Sequence, residues 1–225
     1  MNKAEEELEL ENISGNFLII TEKQGRGVGR KGKHWYSPLG GLWFTLGIRG
    51  FELQSNFSLF CGIQLTKTLK KVINLAEGDI KLKWPNDVYI KEKKVAGIVL
   101  RKLSRYNYYL VGIGINTNFE EFPEELANNA ISLKLIIHKE ISHRKLMGIF
   151  LDYIQERLPE YLKDYRLDLN FYRKHDLLIN KKIQIITEFA EYVGVYQGIT
   201  SSGAILIRLD NESIQPFYAG EIRMI

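Results

Sequence analysis

Some segments of the chain have apolar runs typical of strands, and others have apolar residues at helical spacing. The order of these segments along the chain predicts one fold that contains both strands and helices. Short apolar runs that end in turn residues predict strands at 17–20, 42–48, 80–84, 95–103 and 106–115, the last two as a hairpin. A short polar helix is predicted at 5–12, and helical spacing of apolar residues predicts helices at 58–75 and 142–164. The last of these begins after the N-cap residue Ser142, and Pro159 predicts a kink or a restart within it.

The pattern changes after residue 180. Five short β-rich runs follow, at 182–188, 192–200, 204–209, 213–217 and 221–225. So many short strands separated by turn residues are typical of a small barrel-like module. We therefore predict an α+β fold, with one domain over residues 1–178 and a compact β module over residues 179–225.

Composition narrows the class of protein. The chain has 225 residues, 45% hydrophobic and 26% charged, which excludes a disordered chain and suffices for one sizeable core. No apolar stretch approaches the ~20 residues that span a bilayer, so we expect no membrane association. Cys61 is alone, which excludes a disulfide framework and indicates a buried, reduced thiol in the cytoplasm.

The positive charge is concentrated in one segment. Residues 23–33 hold five cations and no acid, so the formal net charge of +4 falls to 4 − 5 = −1 for the rest of the chain. A single basic loop indicates a localised anion such as a phosphate.

The same loop contains four glycines and matches two phosphate-binding patterns, G-x-G-x-x-G at 27–32 and G-x-x-x-x-G-K at 27–33. Both patterns require a helix to follow, and residues 34–41 do not begin one. Two interpretations stay open: a nucleotide cradle closed by Trp35, or an RNA-binding loop, since residues 29–32 form a basic GXXG.

Three further motifs place polar groups at strand ends. They are KWPND at 83–87, KVAGI at 94–98 and GIGIN at 112–116. Lys94 enters an otherwise apolar strand, which favours a head group that faces a ligand. Gly97 and the two glycines of the third motif would let a ligand approach the backbone closely.

Taken in order, Gln24, G-x-G-R-x-G-K-x-W at 27–35 and the three motifs resemble the biotin protein ligase family, that is, the biotin–[acetyl-CoA-carboxylase] ligases. Residues 196–222 resemble the SH3-like C-terminal module of that family. The resemblance implies a mixed β-sheet catalytic domain of the biotin/lipoate ligase type, followed by a small SH3-like β-barrel. It also implies an ATP-dependent, AMP-forming ligase that makes biotinyl-5′-AMP and transfers biotin to a lysine of biotin carboxyl carrier protein.

The resemblance also assigns roles to residues. The expected catalytic residues are Lys94, Arg30 and Asp87. Biotin is expected to contact Asn2, Gln24, Gly27, Val28, Gly29, Lys94, Gly97, Gly112 and Gly114. ATP and the adenylate are expected to contact Arg30, Lys33, Trp35 (near the adenine), Lys83, Asn86, Asp87, Ile115 and Asn116.

Some expectations concern cofactors, partners and dynamics. Mg²⁺ is expected on the ATP phosphates, with no metal site of the protein's own, and DNA is not expected as a partner. A homodimer is a further option, and the loop at 25–33 is expected to be poorly ordered without ligand because of its glycines. Lipoate–protein ligase and an RNA-binding module are the alternative functions.

The chain departs from the family pattern at three points. Val28 stands where the family usually has the first Arg of the loop, and Lys33 stands where it has a later Arg. Asn2 alone represents its Ser-Thr-Asn segment. Because no helix-turn-helix pattern precedes the domain, we expect a monofunctional ligase rather than a ligase–repressor.

Overall fold

The structure is a computed structural model, and it describes residues 1–10, 13–75 and 78–225. The strands are β1 (Phe17–Thr21), β2 (Leu42–Arg49), β3 (Ile80–Lys83), β4 (Asp87–Ile90), β5 (Lys93–Leu103), β6 (Tyr108–Ile115), β7 (Lys182–Ile186), β8 (Glu191–Ile199), β9 (Ile205–Leu209), β10 (Ile214–Phe217) and β11 (Glu221–Met224). The α-helices are α1 (Asn2–Glu9), α2 (Phe57–Val72), α3 (Glu124–Ala127), α4 (Leu133–Ile137), α5 (His143–Asp164) and α6 (Leu169–His175).

The first six strands form one sheet in the order β1-β2-β6-β5-β4-β3. Every pairing in it is antiparallel, which corrects the expectation of a mixed sheet. Strands β3 to β6 follow one another through tight turns, and such turns join antiparallel neighbours.

The two faces of this sheet have different coverings. Helix α2 packs on one face, where Gly62 lies against Leu82 and Ile98, and α5 packs on α2 to complete the main core. The other face carries α1, whose Ala4 and Leu8 are buried against β6, and beside α1 it is open. Because side chains alternate along a strand, each strand contributes side chains to the core on one face and to the open face on the other.

The last five strands form a second antiparallel sheet in the order β10-β9-β8-β7-β11. All five predicted runs are strands, which confirms the small β module, although this order is open rather than closed into a barrel. The predicted division at residue 178 lies between α6 and β7 and stays a prediction.

Several sequence predictions need correction. Helix α1 begins at Asn2 rather than at Glu5, since Ala4 and Leu8 face the sheet one turn apart, and the predicted end at Asn12 lies outside the described residues. Helix α5 runs through Pro159 without a restart. Strand β1 is an edge strand with Ile20 exposed rather than a buried strand, because an apolar run does not reveal its place in a sheet.

The sequence pattern also missed four short elements, β4, α3, α4 and α6. Each has seven residues or fewer, too few for a period to be recognised. Among the described residues, no helix has the length and apolar character needed to cross a membrane.

Candidate active site

One row of side chains crosses the open face of the sheet and draws on all six strands. The register pairs Thr21 with Trp43, Trp43 with Gly114, Gly114 with Gly97, Gly97 with Asp87, and Asp87 with Lys83. Two glycines in the middle of the row leave a trough between an aromatic end and a charged end. The next row, Ile19, Thr45, Gly112 and Val99, extends the trough with mostly apolar groups.

A β-bulge places Lys94 on this face. Lys94 and Gly97 are three residues apart, so regular alternation would turn them to opposite faces. The pairing of β4 with β5 shifts between Val88 and Tyr89, which aligns Lys94 with Tyr89 and re-aims its side chain toward the row. Lys94 Nζ lies 2.7 Å from Asp87 Oδ2, and the other carboxylate oxygen of Asp87 is buried, with no hydrogen-bond partner among the residues that the structure describes.

Trp35 fills the trough between the two glycines. A Cβ on Gly114 would lie 2.6 Å from its indole Nε1, and a Cβ on Gly97 would lie 3.1 Å from its ring. Lys94 Nζ lies 5.0 Å from the ring centroid, and Trp43 meets the ring edge-on. The space over Gly97 and Gly114 therefore holds this indole rather than being open to a ligand, and Trp35 forms the floor of the site.

The basic loop folds into a hairpin before Trp35. Gly29 N donates to Lys33 O at 2.7 Å, Trp35 N donates to Gly27 O at 2.9 Å, and Val28 pairs with His34. A Cβ on Gly27 would lie 2.3 Å from Trp35 O, so this glycine is required where the two arms of the hairpin touch. Gly27 is not among the residues that line the cavity, and its assignment as a biotin contact stays a prediction. That the loop orders only with ligand stays a prediction.

Two loop cations reach across to other parts of the chain. Arg30 donates to Asn86 Oδ1 at 3.3 Å and to Gly220 O at 3.4 Å. Lys33 Nζ lies 2.5 Å from Glu221 Oε1. Burial lowers the pKa of Arg30, while the bond from Lys33 lowers the pKa of Glu221. The turn between β10 and β11 thus forms one side of the site.

The KWPND motif divides its side chains between the site and the core. Lys83 faces the site, where burial is the main cause that lowers its pKa and Asp87 opposes that shift. Trp84 turns the other way and donates its indole N–H to Gly203 O at 2.9 Å, in the turn between β8 and β9. Asn86 is buried and donates to Ile98 O at 2.7 Å, which holds its oxygen toward Arg30.

The GIGIN motif alternates in the same way. Gly112 and Gly114 lie on the open face, whereas Ile113 and Ile115 are buried in the main core. Ile115 does not line the cavity, because alternation along β6 turns its side chain into the core; its assignment as an ATP contact stays a prediction. Asn116 lines the cavity and donates to Ile131 O at 3.2 Å.

These groups enclose one cavity of about 770 Å³. All predicted site residues except Gly27 and Ile115 line it. Residues that the sequence did not single out also line it: Ile19, Thr45, Tyr89, Val99, Gly220 and Glu221. Tyr89 follows Asp87 by two residues, so the alternation of side chains along a strand could have identified it. Gly220 and Glu221 come from the second sheet, far away in the sequence, and no sequence pattern indicated them.

Comparison with known proteins assigns the chain to a family. Residues 1–118 match the model of the Biotin/lipoate A/B protein ligase family. The chain belongs to this family. Residues 178–224 match the Biotin protein ligase C terminal domain, in agreement with the second sheet.

Individual relatives support the same family. The bifunctional ligase/repressor BirA of Escherichia coli is 30% identical, covering 94% of this chain and 67% of its own length. A biotin–[acetyl-CoA-carboxylase] ligase of Paracoccus denitrificans is 27% identical, covering 87% of this chain and 85% of its own. The chain thus spans about two thirds of the length of the bifunctional relatives that it matches.

Among solved structures, the biotin protein ligase of Aquifex aeolicus in complex with biotin and ATP superimposes with a TM-score of 0.86 at 29% identity. It covers 98% of this chain and 93% of its own. The biotin/lipoate ligase fold expected from the sequence is therefore confirmed for nearly the whole chain.

Proposed function

We propose that this protein is a biotin–protein ligase, which activates biotin with ATP and transfers it to a lysine of biotin carboxyl carrier protein. One observation carries the proposal: the row across the sheet joins an apolar trough floored by Trp35 to a charged end at Asp87, Lys94 and Lys83. The homologous Aquifex enzyme, in a complex with both biotin and ATP, supports this assignment.

The charged end suits the first step. The carboxylate oxygen of biotin attacks the α-phosphorus of ATP, the bond to the β-phosphate breaks, and pyrophosphate leaves with the electron pair. This step brings two anions together, so cations must offset their repulsion. Lys94, which is held by Asp87 beside the trough, would bridge the carboxylate and the α-phosphate, and Arg30, Lys33 and Lys83 would hold phosphate oxygens.

The apolar end suits the ring system of biotin. Ile19, Val99 and the Met1 side chain that lies over Gly112 form it together with the Trp35 indole, and Gln24, Val28 and Asn2 line the same cavity. Among the residues that the structure describes, the buried indole Nε1 of Trp35 has no hydrogen-bond partner, so a ligand group that reached it would gain a donor.

The second step needs a proton acceptor near the anhydride. The acceptor lysine attacks the acyl carbon of biotinyl-5′-AMP, an amide bond forms, and AMP leaves while the amine loses a proton. Among the described residues, the buried Asp87 Oδ1 has no hydrogen-bond partner, so this oxygen would accept a hydrogen bond from an incoming amine that reached it.

Mg²⁺ would enter on the ATP phosphates. In the part of the chain that the structure describes, no group of three or more His, Cys, Asp or Glu residues could hold a metal by itself. The free oxygen of Asp87 would supply one contact to the ion or its water, and the ion would offset phosphate charge. A cytoplasmic location and a homodimer belong to the same proposal.

Pyrophosphate exchange tests the first step. The protein with ATP and Mg²⁺ is expected to exchange labelled pyrophosphate into ATP with biotin and not with lipoate. Mass spectrometry of a carrier domain should then show one added biotinyl group on a lysine. Exchange supported by lipoate alone would overturn the assignment in favour of a lipoate–protein ligase.

A further inference from the structure

The five cations of the basic loop fall into two sets in the structure. Arg30 and Lys33 reach inward to Asn86, Gly220 and Glu221. The other three, which we call the rim cations, are Lys23, Arg26 and Lys31. They are exposed, they lie at the mouth of the cavity, and they take part in no ion pair among the described residues.

The positive charge of the rim cations is more than the binding of biotin and ATP requires. The inner cations Arg30, Lys33, Lys83 and Lys94 line the cavity and are the ones assigned to biotin and ATP. Lys31 lies at the hairpin tip with a positive φ of 53°, and Lys23 and Arg26 lie where the chain enters the hairpin. They therefore border the opening through which an acceptor lysine must pass.

We propose that the rim cations dock an acidic surface of the acceptor protein beside its target lysine, an inference that rests on the proposed function. Exposed charges are screened within about 10 Å at ordinary salt, so they accelerate association more than they prolong binding. That balance suits an acceptor that must arrive once in each cycle and leave after modification.

A nucleic acid is the other polyanion that such a patch would attract. Recognition of single-stranded RNA uses exposed aromatic rings on which bases stack. Trp35 is the aromatic residue that closes this loop, and its indole lies on the sheet against Gly97 and Gly114. The indole of Trp35 is therefore not presented for base stacking, which favours an acidic protein surface.

The test separates transfer from adenylate formation. The double variant Arg26→Glu/Lys31→Glu is compared with Arg144→Glu/Lys145→Glu, two exposed cations in the first turn of α5, on the covered side of the sheet. Preformed biotinyl-5′-AMP is supplied with either a carrier domain or Nα-acetyl-lysine amide as acceptor. Pyrophosphate exchange is measured separately with ATP and biotin.

For the rim variant we expect the second-order rate of transfer to the carrier domain to fall about tenfold or more at low salt, and to approach the parent rate at high salt. Transfer to the small amine and pyrophosphate exchange should be unchanged, and the α5 variant should match the parent throughout.

Three results would overturn the inference: unchanged transfer to the carrier domain, an equal loss with the small amine, or a loss of pyrophosphate exchange. Competition by a single-stranded RNA at lower concentrations than an acidic peptide of equal charge would also overturn it. Failure of the parent protein to exchange pyrophosphate with biotin would instead overturn the proposed function.

Discussion

The C-terminal sheet meets the rest of the chain at two places that differ in burial and in chemistry. At the cavity, Lys33 pairs with Glu221 and Arg30 donates to Gly220 O, and both side chains of the ion pair keep contact with solvent. At the second place, which we call the joint, the contacts are buried. There Trp84 donates to Gly203 O, and Tyr196 donates from its hydroxyl to Asp176 Oδ2 at 2.7 Å.

The two places also shift the pKa of a carboxyl group in opposite directions. Glu221 lies beside a cation that lowers its pKa. Asp176 is buried, it accepts hydrogen bonds from Tyr196 and from Leu178 N, and burial raises its pKa to about 6. Solvated ion pairs break and form at little cost, whereas buried hydrogen bonds are expensive to lose. The joint thus holds the sheets together, and the cavity contact is free to exchange partners with substrate.

This comparison predicts that variants in the cavity change activity, whereas variants at the joint change stability. The largest effect is expected at Lys94. For Lys94→Ala we expect biotin-dependent pyrophosphate exchange to fall about 10²–10³-fold, the loss typical of removing one donor to a developing charge. The free energy of unfolding should change by less than about 1 kcal/mol, since the Asp87 pair is partly exposed.

The matched control for Lys94 is Lys93→Ala. Lys93 donates from its Nζ to Ala127 O at 2.9 Å in an exposed position outside the row. Its exchange rate should equal that of the parent. Near-normal exchange in Lys94→Ala would remove this residue from the mechanism.

The next effect is a pH dependence set at the joint. Asp176 holds its proton up to about pH 6 when folded but only to about 3.8 when unfolded. The folded state therefore binds more protons in this interval, and the free energy of unfolding falls as the pH rises from 4 to 6. Over two pKa units the fall is about 3 kcal/mol.

Asp176→Asn keeps the side-chain shape and one of the two acceptor oxygens, and it should remove this slope because Asn does not titrate. Urea unfolding between pH 4 and pH 7 measures it, with Asp152→Asn, an exposed carboxyl on α5, as the control that keeps the parent slope. Equal slopes in the parent and in Asp176→Asn would contradict the assignment.

A smaller loss of stability is expected for Trp84→Phe. The substitution leaves Gly203 O buried without its donor, at a cost of about 2 kcal/mol in the free energy of unfolding. Urea unfolding measures the change. Pyrophosphate exchange below the unfolding transition should stay at the parent level, and a selective loss of exchange would show that the joint and the cavity are coupled.

The smallest effect is expected for Glu221→Gln. The ion pair with Lys33 is solvated, so its loss should change the free energy of unfolding by less than about 1 kcal/mol and vanish at high salt. The KM for ATP should shift within about threefold, which corresponds to the same range of energy. A tenfold loss of kcat would instead show that Glu221 acts in the reaction.

Much of the site was predictable because its motifs lie on strands, where every second residue points to the same face of the sheet and can be counted off in the sequence. Gly112, Gly114 and Asn116 share one parity and do line the cavity, while Ile115 has the other parity and does not. The same rule fails at Lys94, because the bulge that turns it toward Gly97 arises from the pairing of β4 with β5. β4 itself has only four residues and was not predicted.

The sequence by itself determined the order of the main strands and helices, the small β module, and the chemical groups of the site. Each of these depends on local spacing and residue type. Only the tertiary structure decided that Trp35 floors the trough, that Gly27 supports the hairpin, and that Gly220 and Glu221 close the cavity. These contacts join residues far apart in the chain, and no local pattern specifies which surfaces meet when two sheets pack.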